Sequence, residues 1–380
     1  MNPVKRTFAA TTAALTLALG AVAGTVAVPA AARADAGPPP LTDGYGLTQI
    51  PTEAAYTQTN TAYDFVITVS TPQVAGQPEL DNGGHHIRIV LPSDYYSNPG
   101  KRYPVLYLLN GSSPGSDPAD YWGYPEINSN SGLIFVMPDG GPRGWYTNWL
   151  NQNSAAGAQN WENFHIGQVI PFIDANLRTQ ADKPHRGIAG ISMGGFGAIR
   201  YAERHPDLFS QAASMSGDLD LSRDSMDLRE AAVDSLTGVP VSFAPSPAVG
   251  SDDLYGTPYP VSVYYPYSDV LWNDASPGTH AAALSGVGVS FYVGNGGGGL
   301  TPPLSDPTPW ANRFLEWWVH SSAQHFKAAL DAAGVPSYFV DYGDGTGTAW
   351  ADCYGGHNSV CWKHDLDDLM PRMEQALGAG

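Results

Sequence analysis

The pentapeptide GISMG at residues 190–194 constrains this chain more than any other segment. It follows the G-x-S-x-G pattern, in which a serine occupies a sharp turn between a strand and a helix and its hydroxyl is lifted clear of the backbone. Residues 186–189 favour a short strand before the turn, and the alanine-containing residues 195–203 favour a helix after it. A glycine-rich turn with an incidental serine is the alternative, but this context predicts that Ser192 is a nucleophile.

Strand and helix signals alternate along the rest of the chain. The runs YPVLYLL at 103–109 and LIFVM at 133–137 are continuously apolar, which is typical of strands buried on both faces. Further strands are predicted at 62–70, 85–91, 187–190, 212–216, 287–293 and 337–342, and helices at 161–177, 323–333 and 363–377. This alternation predicts the α/β class, as a doubly wound, mostly parallel sheet in a single domain of α/β-hydrolase fold.

The first 34 residues have the features of a secretory signal peptide. Lys5 and Arg6 precede an uncharged apolar stretch at 7–28, and residues 32–34 form an A-x-A cleavage site. A membrane anchor is the alternative, but the many Ala, Gly and Thr residues make the stretch weakly hydrophobic. We therefore expect a secreted monomer without a stable membrane span, divided into a signal peptide at 1–34, an extended arm at 35–60 and an α/β-hydrolase catalytic domain at 61–380.

Charge and cysteine content narrow the partners and the compartment. The formal net charge is −18, and no basic patch is visible, so a nucleic-acid partner is not expected. The two cysteines, Cys353 and Cys361, favour a disulfide in an exported protein. A metal site would need more soft ligands at suitable spacing, and we expect none.

A serine hydroxyl is a weak nucleophile at neutral pH and needs an adjacent base. In α/β-hydrolases the acid and then the histidine follow the serine along the chain. His357 lies in a glycine-containing loop after the last predicted strand and between the two cysteines, so it is the predicted base. His364, in the C-terminal helix, is the alternative.

The acid is less well determined by order along the chain. Asp306 and Glu316 both follow the predicted strand at 287–293 and rank equally, while Asp341 and Asp344 follow the final strand. Solvated surface carboxylate is the default interpretation for each of these groups.

An ester-cleaving serine also needs backbone donors for the oxyanion that forms during attack. The first is usually the N–H of the residue after the nucleophile, here Met193, and the second comes from the loop after the oxyanion strand. That loop begins NGSS at 110–113, and Ser112 is the predicted second donor. An ordinary Asn-Gly turn is the alternative for this loop.

Several short blocks occur in a fixed order: YPVLYLL at 103–109, WYTNW at 145–149, WENF at 161–164, GISMG with RHPD at 204–207, VGNG at 293–296, RFLE at 313–316 and GH at 356–357. Together they resemble the esterase D superfamily, and within it the secreted mycolyltransferase-antigen (antigen 85-like) branch, over about residues 87–380. The resemblance implies that Glu316 is the acid of a Ser192–Glu316–His357 triad and that no cofactor is used.

The chain also departs from that branch. NGSS at 110–113 stands where the branch has Asp-Gly-Leu-Arg, whose polar residues help to hold a trehalose acceptor, and Ser359 stands where a tryptophan is expected. Asn110 is therefore our substrate-binding candidate, while trehalose is not carried over as the acceptor.

These observations lead to two hypotheses. The first is a secreted serine esterase or acyltransferase that passes an acyl group from a lipid or glycolipid type of ester to water, an alcohol or a sugar. The alternative is a surface-binding antigen protein that has kept a hydrolase scaffold with weak or no catalysis. The distance between Ser192 and His357 discriminates between them, because only an enzyme requires the two side chains to be hydrogen-bonded.

Overall fold

The computed structural model describes residues 37–57, 60–76, 83–112, 121, 123–222, 250–256, 269–297 and 310–379. Within these residues one sheet contains nine strands, in the spatial order β1-β2-β3-β5-β4-β6-β7-β8-β9. The strands are β1 (Thr48–Ile50), β2 (Asp64–Ser70), β3 (His85–Val90), β4 (Val105–Leu109), β5 (Ile134–Pro138), β6 (Arg186–Ile191), β7 (Gln211–Met215), β8 (Gly288–Gly294) and β9 (Ser337–Gly343).

The sheet is parallel over most of its width. All neighbouring pairs from β5 across to β9 are parallel, whereas β1, β2, β3 and β5 pair antiparallel at one edge. The predicted α/β class and the single domain are therefore confirmed. Because all the central strands point the same way, their carboxyl ends meet at one edge of the sheet, where ligand sites of open α/β folds form.

The described helices are α1 (Ala54–Thr57), α2 (Ile170–Asn176), α3 (Met193–Arg204), α4 (Ser251–Tyr255), α5 (Asp269–Ala275), α6 (Trp310–Ala332) and α7 (Ser359–Leu377). A π-helical segment, Asn163–Val169, leads into α2, so the predicted helix at 161–177 is present in two forms. Two 3₁₀ segments, Lys183–His185 and Pro277–Leu284, complete the helical elements of the described residues.

The predicted start of α6 at residue 323 is wrong, since the helix begins at Trp310. Over residues 310–322, before the predicted start, the buried face carries the polar side chains of Arg313, Glu316 and Ser322. These groups interrupt the apolar period from which a helix is recognised in sequence, and the early turns were therefore missed.

Strand β4 shows how the sheet is buried on both faces. Val105, Tyr107 and Leu109 belong to one hydrophobic core, which also contains Phe196 of α3 and Phe326 of α6. The alternate residues, Leu106 and Leu108, belong to a second core with Leu369 and Met373 of α7. Side chains of a strand alternate between faces, so the continuous apolar run reflects helices packed on both sides.

The N-terminal part of the described chain adds to the sheet edge. β1 pairs with β2 and α1 follows it, so the predicted arm at 35–60 contains both a short strand and a helical turn. The predicted signal peptide at 1–34 lies outside the described residues. Within the described ranges, no helix combines the length and the apolar character needed to cross a membrane.

Candidate active site

Ser192 sits at a sharp turn between β6 and α3. Its backbone has φ 54° and ψ −120°, a strained conformation for a residue with a side chain. A Cβ atom on Gly190 would lie 2.1 Å from the carbonyl oxygen of Gly194, and one on Gly194 would lie 2.1 Å from that of Leu109. Both glycines are therefore required sterically, which explains the G-x-S-x-G pattern.

The side chains of Ser192, His357 and Glu316 form one hydrogen-bonded chain. Ser192 Oγ lies 2.8 Å from His357 Nε2, and His357 Nδ1 lies 2.7 Å from Glu316 Oε2. Ser192 and His357 are each 8% exposed and Glu316 is fully buried. Since an ionised carboxylate only accepts hydrogen bonds, Nδ1 carries the imidazole proton and Nε2 accepts from the serine hydroxyl.

The second oxygen of Glu316 is held from the carboxyl ends of two strands. Oε1 accepts from the Ser216 hydroxyl at 2.9 Å and from the Gly294 N–H at 2.8 Å. Trp362 Nε1 donates to Ser216 Oγ at 3.1 Å, and its ring meets the His357 ring edge-on at 5.1 Å. The sequence analysis assigned no role to Ser216. Its position directly after β7, where the carboxyl ends of the parallel strands form the site, could have marked it as a candidate.

The loop that carries His357 is fixed at several points. Cys353 and Cys361 form the predicted disulfide, with their Cα atoms 5.1 Å apart. The Asn358 side chain caps α7 by accepting two backbone N–H groups, and the His357 N–H donates to the Asn312 carbonyl at 3.2 Å. The base is therefore attached both to the start of α7 and to the first turn of α6.

The other candidates of the sequence analysis that fall within the described residues make their contacts away from this hydrogen-bonded chain. His364 Nε2 pairs with Asp352 at 2.6 Å, and Asp341 pairs with His320 at 2.9 Å. Asp306 lies outside the described residues. Among the acids and bases considered that lie in the described ranges, Glu316 and His357 are those that the structure brings to Ser192.

The predicted oxyanion donors flank the nucleophile. Met193 is the first residue of α3, where backbone N–H groups have no partner within the helix. A Cβ on Gly111 would lie 3.4 Å from Ser192 Cβ, so the Gly111–Ser112 peptide passes close to the nucleophile. The Ser112 hydroxyl donates to the Pro142 carbonyl. The donor roles of Met193 and Ser112 stay predictions.

Asn110 is only 1% exposed and connects the loops that follow β4 and β5. Its Oδ1 accepts from the Gly140 N–H at 2.8 Å and the Tyr146 hydroxyl at 3.0 Å, while Nδ2 donates to the Gly111 carbonyl at 2.9 Å. The side chain is thus engaged with the protein itself. Its predicted contact with substrate stays a prediction.

A small cavity of about 20 Å³ adjoins the hydrogen-bonded chain. One of its walls is Asp218, which is 5% exposed and accepts hydrogen bonds from Trp318 Nε1 at 2.8 Å and Ser322 Oγ at 2.7 Å. Burial raises the pKa of Asp218 to about 6, although the hydrogen bonds from Trp318 and Ser322 act to lower it.

In the described ranges no cluster of three or more His, Cys, Asp or Glu side chains is placed to hold a metal ion.

Comparison with known proteins is consistent with this architecture. Esterase Rv1288 of Mycobacterium tuberculosis is 34% identical over 309 residues, which are 77% of this chain but 57% of that protein, so the chain spans little more than half of this relative. The diacylglycerol acyltransferase/mycolyltransferase Ag85A of Mycobacterium ulcerans is 28% identical over 296 residues, covering 75% of this chain and 77% of Ag85A.

Two solved structures share the fold. MPT51 (FbpC1) of Mycobacterium tuberculosis superposes with a TM-score of 0.55 at 20% identity, covering 80% of this chain and 97% of MPT51. The fluorophosphonate-binding serine hydrolase FphF of Staphylococcus aureus also gives 0.55, at 17% identity, covering 82% of this chain and 98% of FphF. A family model described as "Putative esterase" matches residues 80–373, most of the chain, and the protein therefore belongs to this esterase family.

Proposed function

We propose that this chain is a secreted serine esterase or acyltransferase that works through Ser192, His357 and Glu316. The observation that carries the proposal is the continuous hydrogen-bonded chain of 2.8 Å and 2.7 Å between these side chains. A serine becomes a nucleophile when a base accepts its proton, and the base works best when an acid orients it. Membership of the esterase family supports an ester as the substrate.

In the acylation half-reaction, Ser192 Oγ attacks the ester carbonyl carbon while His357 Nε2 takes the hydroxyl proton. The negative charge that develops on the carbonyl oxygen is stabilised by the backbone N–H groups of Met193 and Ser112. Glu316 stabilises the imidazolium that forms. His357 then passes its proton to the leaving alcohol as the ester C–O bond breaks, which leaves the acyl group on Ser192.

In the second half-reaction, an acceptor hydroxyl attacks the carbonyl carbon of the acyl-enzyme while His357 Nε2 takes its proton. The bond between Ser192 Oγ and the acyl group then breaks as His357 returns the proton to Ser192 Oγ, which releases the product and restores the serine. Water as acceptor gives hydrolysis, and an alcohol or sugar gives acyl transfer. Acyl esters of lipid or glycolipid type are the proposed substrates, which the similarity to a diacylglycerol acyltransferase/mycolyltransferase supports. Trehalose is not proposed as the acceptor, because residues 110–113 lack the charged pair of the antigen 85-like run.

The test is hydrolysis of p-nitrophenyl esters of increasing chain length, with and without glycerol or sugar acceptors, by the wild type and by Ser192→Ala. We expect turnover and fluorophosphonate labelling in the wild type and neither in Ser192→Ala. Ser214→Ala is the matched control, since it removes a buried serine hydroxyl without a hydrogen-bond partner in the described part of the chain. Full turnover in Ser192→Ala, or labelling of another residue, would overturn the mechanism.

The alternative, a surface-binding protein without catalysis, predicts no turnover in the wild type. The 2.8 Å separation between Ser192 Oγ and His357 Nε2 favours the enzyme, because a binding protein has no need of that contact. Secretion is tested separately by expressing the full chain in an actinobacterial host and sequencing the N-terminus of the exported protein. Cleavage after Ala34 is the expected result.

A further inference from the structure

The first turns of α6 present aromatic side chains to solvent. Trp310 is 62% exposed, Trp317 is 40% exposed, and Phe314, between them in sequence, is partly exposed. The ring centroids of Trp310 and Phe314 lie 5.6 Å apart, and those of Phe314 and Trp317 lie 6.0 Å apart. Spacings of four and three residues place side chains on one face of a helix. We call these three residues the α6 aromatic surface.

The two tryptophans are unusual in this chain for their exposure. Tryptophan is highly buried on average in folded proteins, and five others of the described residues are buried here: Trp145, Trp149, Trp161, Trp272 and Trp318. An exposed indole can place its ring in apolar material while its N–H stays in contact with polar groups, which is why tryptophan is enriched at membrane interfaces.

The helix carries no exposed charge along this stretch. Over residues 310–319 the two charged side chains, Arg313 and Glu316, are both buried. The exposed and partly exposed residues of the same stretch are all uncharged: Trp310, Ala311, Asn312, Phe314, Leu315 and Trp317. Charged residues are depleted at the core of surfaces that bind apolar partners. The α6 aromatic surface therefore matches an apolar, electrically neutral partner.

This surface adjoins the candidate active site. The same part of α6 supplies three walls of the cavity beside Ser192, namely Leu315, Trp318 and Val319. Phe314 lies one turn before Trp318, so their side chains are neighbours on the helix. A Cβ on Gly296, just after β8, would lie 3.2 Å from Trp317 Cβ. The surface therefore lies at the carboxyl edge of the sheet, where the nucleophile is also found.

We propose that the α6 aromatic surface binds the surface of an electrically neutral lipid aggregate, and that this contact brings the active site to lipid esters held there. The inference rests on the proposed function, which supplies the lipid ester as substrate. A single lipid molecule would need a concave site, whereas both tryptophans project into solvent. A second copy of this chain is a poorer match, because two molecules with a formal net charge of −18 each repel one another.

Binding is tested by cosedimentation with phosphatidylcholine vesicles. The Ser192→Ala variant is used, so that hydrolysis cannot change the lipid. We expect this protein to bind the vesicles. Adding Trp310→Ser and Trp317→Ser should lower its partition coefficient roughly tenfold or more, because the apolar area of both rings is no longer removed from water. Binding should persist at high salt and be weaker to phosphatidylglycerol vesicles at low salt, since their charge repels the acidic chain. Loss of binding at high salt would contradict an apolar contact.

Tyr45→Ser in the same Ser192→Ala background is the matched control. Tyr45 is 54% exposed and precedes β1, which forms the opposite edge of the sheet from β9. This substitution removes an exposed aromatic ring far from α6, and vesicle binding is expected to stay unchanged. A loss as large as that of the two tryptophan substitutions would show that binding does not depend on α6.

The kinetic test uses Trp310→Ser/Trp317→Ser in the otherwise wild-type chain. We expect kcat/KM on dissolved p-nitrophenyl butanoate to stay nearly unchanged, because neither side chain lines the cavity beside Ser192. The rate on emulsified trioctanoylglycerol should fall in step with vesicle binding. An equal fall on both substrates would assign the two tryptophans to the active site itself and overturn the inference.

Equal vesicle binding with and without the two tryptophans would also overturn it, as would a dimer that their substitution dissociates and that binds no vesicles. Either result would leave the proposed function intact as long as turnover of dissolved ester depends on Ser192. Should the tryptophan variants not fold, hydrogen exchange of Ser192→Ala is compared with and without vesicles. Slower exchange of the amides at 310–319 with vesicles supports the inference, and unchanged exchange there contradicts it.

Discussion

The hydroxyl of Ser216 donates a hydrogen bond of 2.9 Å to Glu316 Oε1, the carboxylate oxygen that does not face His357. Ser216 Oγ in turn accepts from Trp362 Nε1, which can only donate, so the serine hydrogen is directed to the glutamate. Ser216 lies directly after β7 and has φ 53°. A strained residue therefore holds the proposed acid in line with the proposed base.

Removing this contact should slow catalysis without weakening substrate binding. A hydrogen bond to a charged group is worth about 1.5–3 kcal/mol, and Gly294 still holds Glu316 Oε1 in Ser216→Ala. We therefore expect kcat to fall roughly tenfold with KM little changed. Steady-state kinetics on p-nitrophenyl butanoate test this, with Ser214→Ala, two residues earlier in β7, as control. Equal rates for the two variants would count against a positioning role for Ser216.

Asn110 is expected to act on the oxyanion site rather than through direct contact with substrate. Its Nδ2 holds the Gly111 carbonyl, and the C=O and N–H of a planar trans peptide point in opposite directions. The Ser112 N–H is therefore directed away from Asn110.

In Asn110→Asp a carboxylate oxygen faces the Gly111 carbonyl, and the peptide loses its anchor. An oxyanion donor is worth about 10²–10³ in kcat, so we expect misalignment of one donor to lower kcat at least tenfold and to leave KM nearly unchanged. Burst-phase kinetics with p-nitrophenyl esters separate acylation from substrate binding. A rise in KM at constant kcat would instead indicate the substrate contact that the sequence analysis assigned to Asn110.

The features that could be predicted from sequence are those with local causes. The turn at Ser192 is recognisable because Gly190 and Gly194 are required by contacts within a few residues and with the neighbouring strand. The apolar runs of β4 and β5 are recognisable because helices cover both faces of the sheet. In each case the side chain's own environment determines the residue type.

Features with long-range causes could not be derived from the order of residues along the chain alone. Asp306 and Glu316 are equivalent by chain order, and only the resemblance to the antigen 85-like branch favours Glu316, because its contact with His357 is made across the fold. The support of Glu316 by Ser216 depends on β7 and β8 being neighbours in the sheet, although they are far apart in sequence. The buried polar residues of α6, which include Glu316, also interrupt its apolar pattern, so the start of the helix could not be recognised in the sequence.

The disulfide around His357 is expected to contribute to both stability and catalysis. Cys353 and Cys361 are eight positions apart, and closing so short a loop stabilises a fold by about 2–3 kcal/mol on the chain-entropy model. In the double variant Cys353→Ala/Cys361→Ala, the Asn358 cap and the bond to Asn312 still hold the loop.

We therefore expect a lower urea midpoint together with a loss of less than tenfold in kcat for this double variant. Equilibrium unfolding and kinetics on the same preparation test both parts. Wild-type protein treated with dithiothreitol should behave like the variant. An unchanged midpoint in both samples would show that the disulfide does not stabilise the fold.

Glu203 in α3 is expected to limit stability at alkaline pH. Glu203 is 4% exposed, and its carboxyl oxygens have no hydrogen-bond partner in the described residues. Burial raises the pKa of this carboxyl from 4.5 to about 8, although the positive charges of Arg200 and Arg204 act to lower it. Between these two values the folded protein retains a proton that the unfolded chain has released. The free energy of unfolding therefore falls as pH rises, by about 1.4 kcal/mol for each pH unit.

Glu203→Gln removes this titration, so its Tm should exceed that of the wild type at pH 8, and the difference should shrink toward pH 4.5.

Glu162 is expected to affect stability in the opposite direction, because its pKa is lowered. Burial acts to raise the pKa of this carboxyl, but hydrogen bonds from His205 and Arg204 lower it to about 2. Its ionised form stabilises the fold above pH 4.5, and this contribution is lost as pH falls toward 2. Glu162→Gln should therefore lower Tm at pH 7 and less so in acid. Thermal unfolding followed by circular dichroism across this range tests both variants, and parallel pH profiles for wild type and Glu203→Gln would contradict the argument.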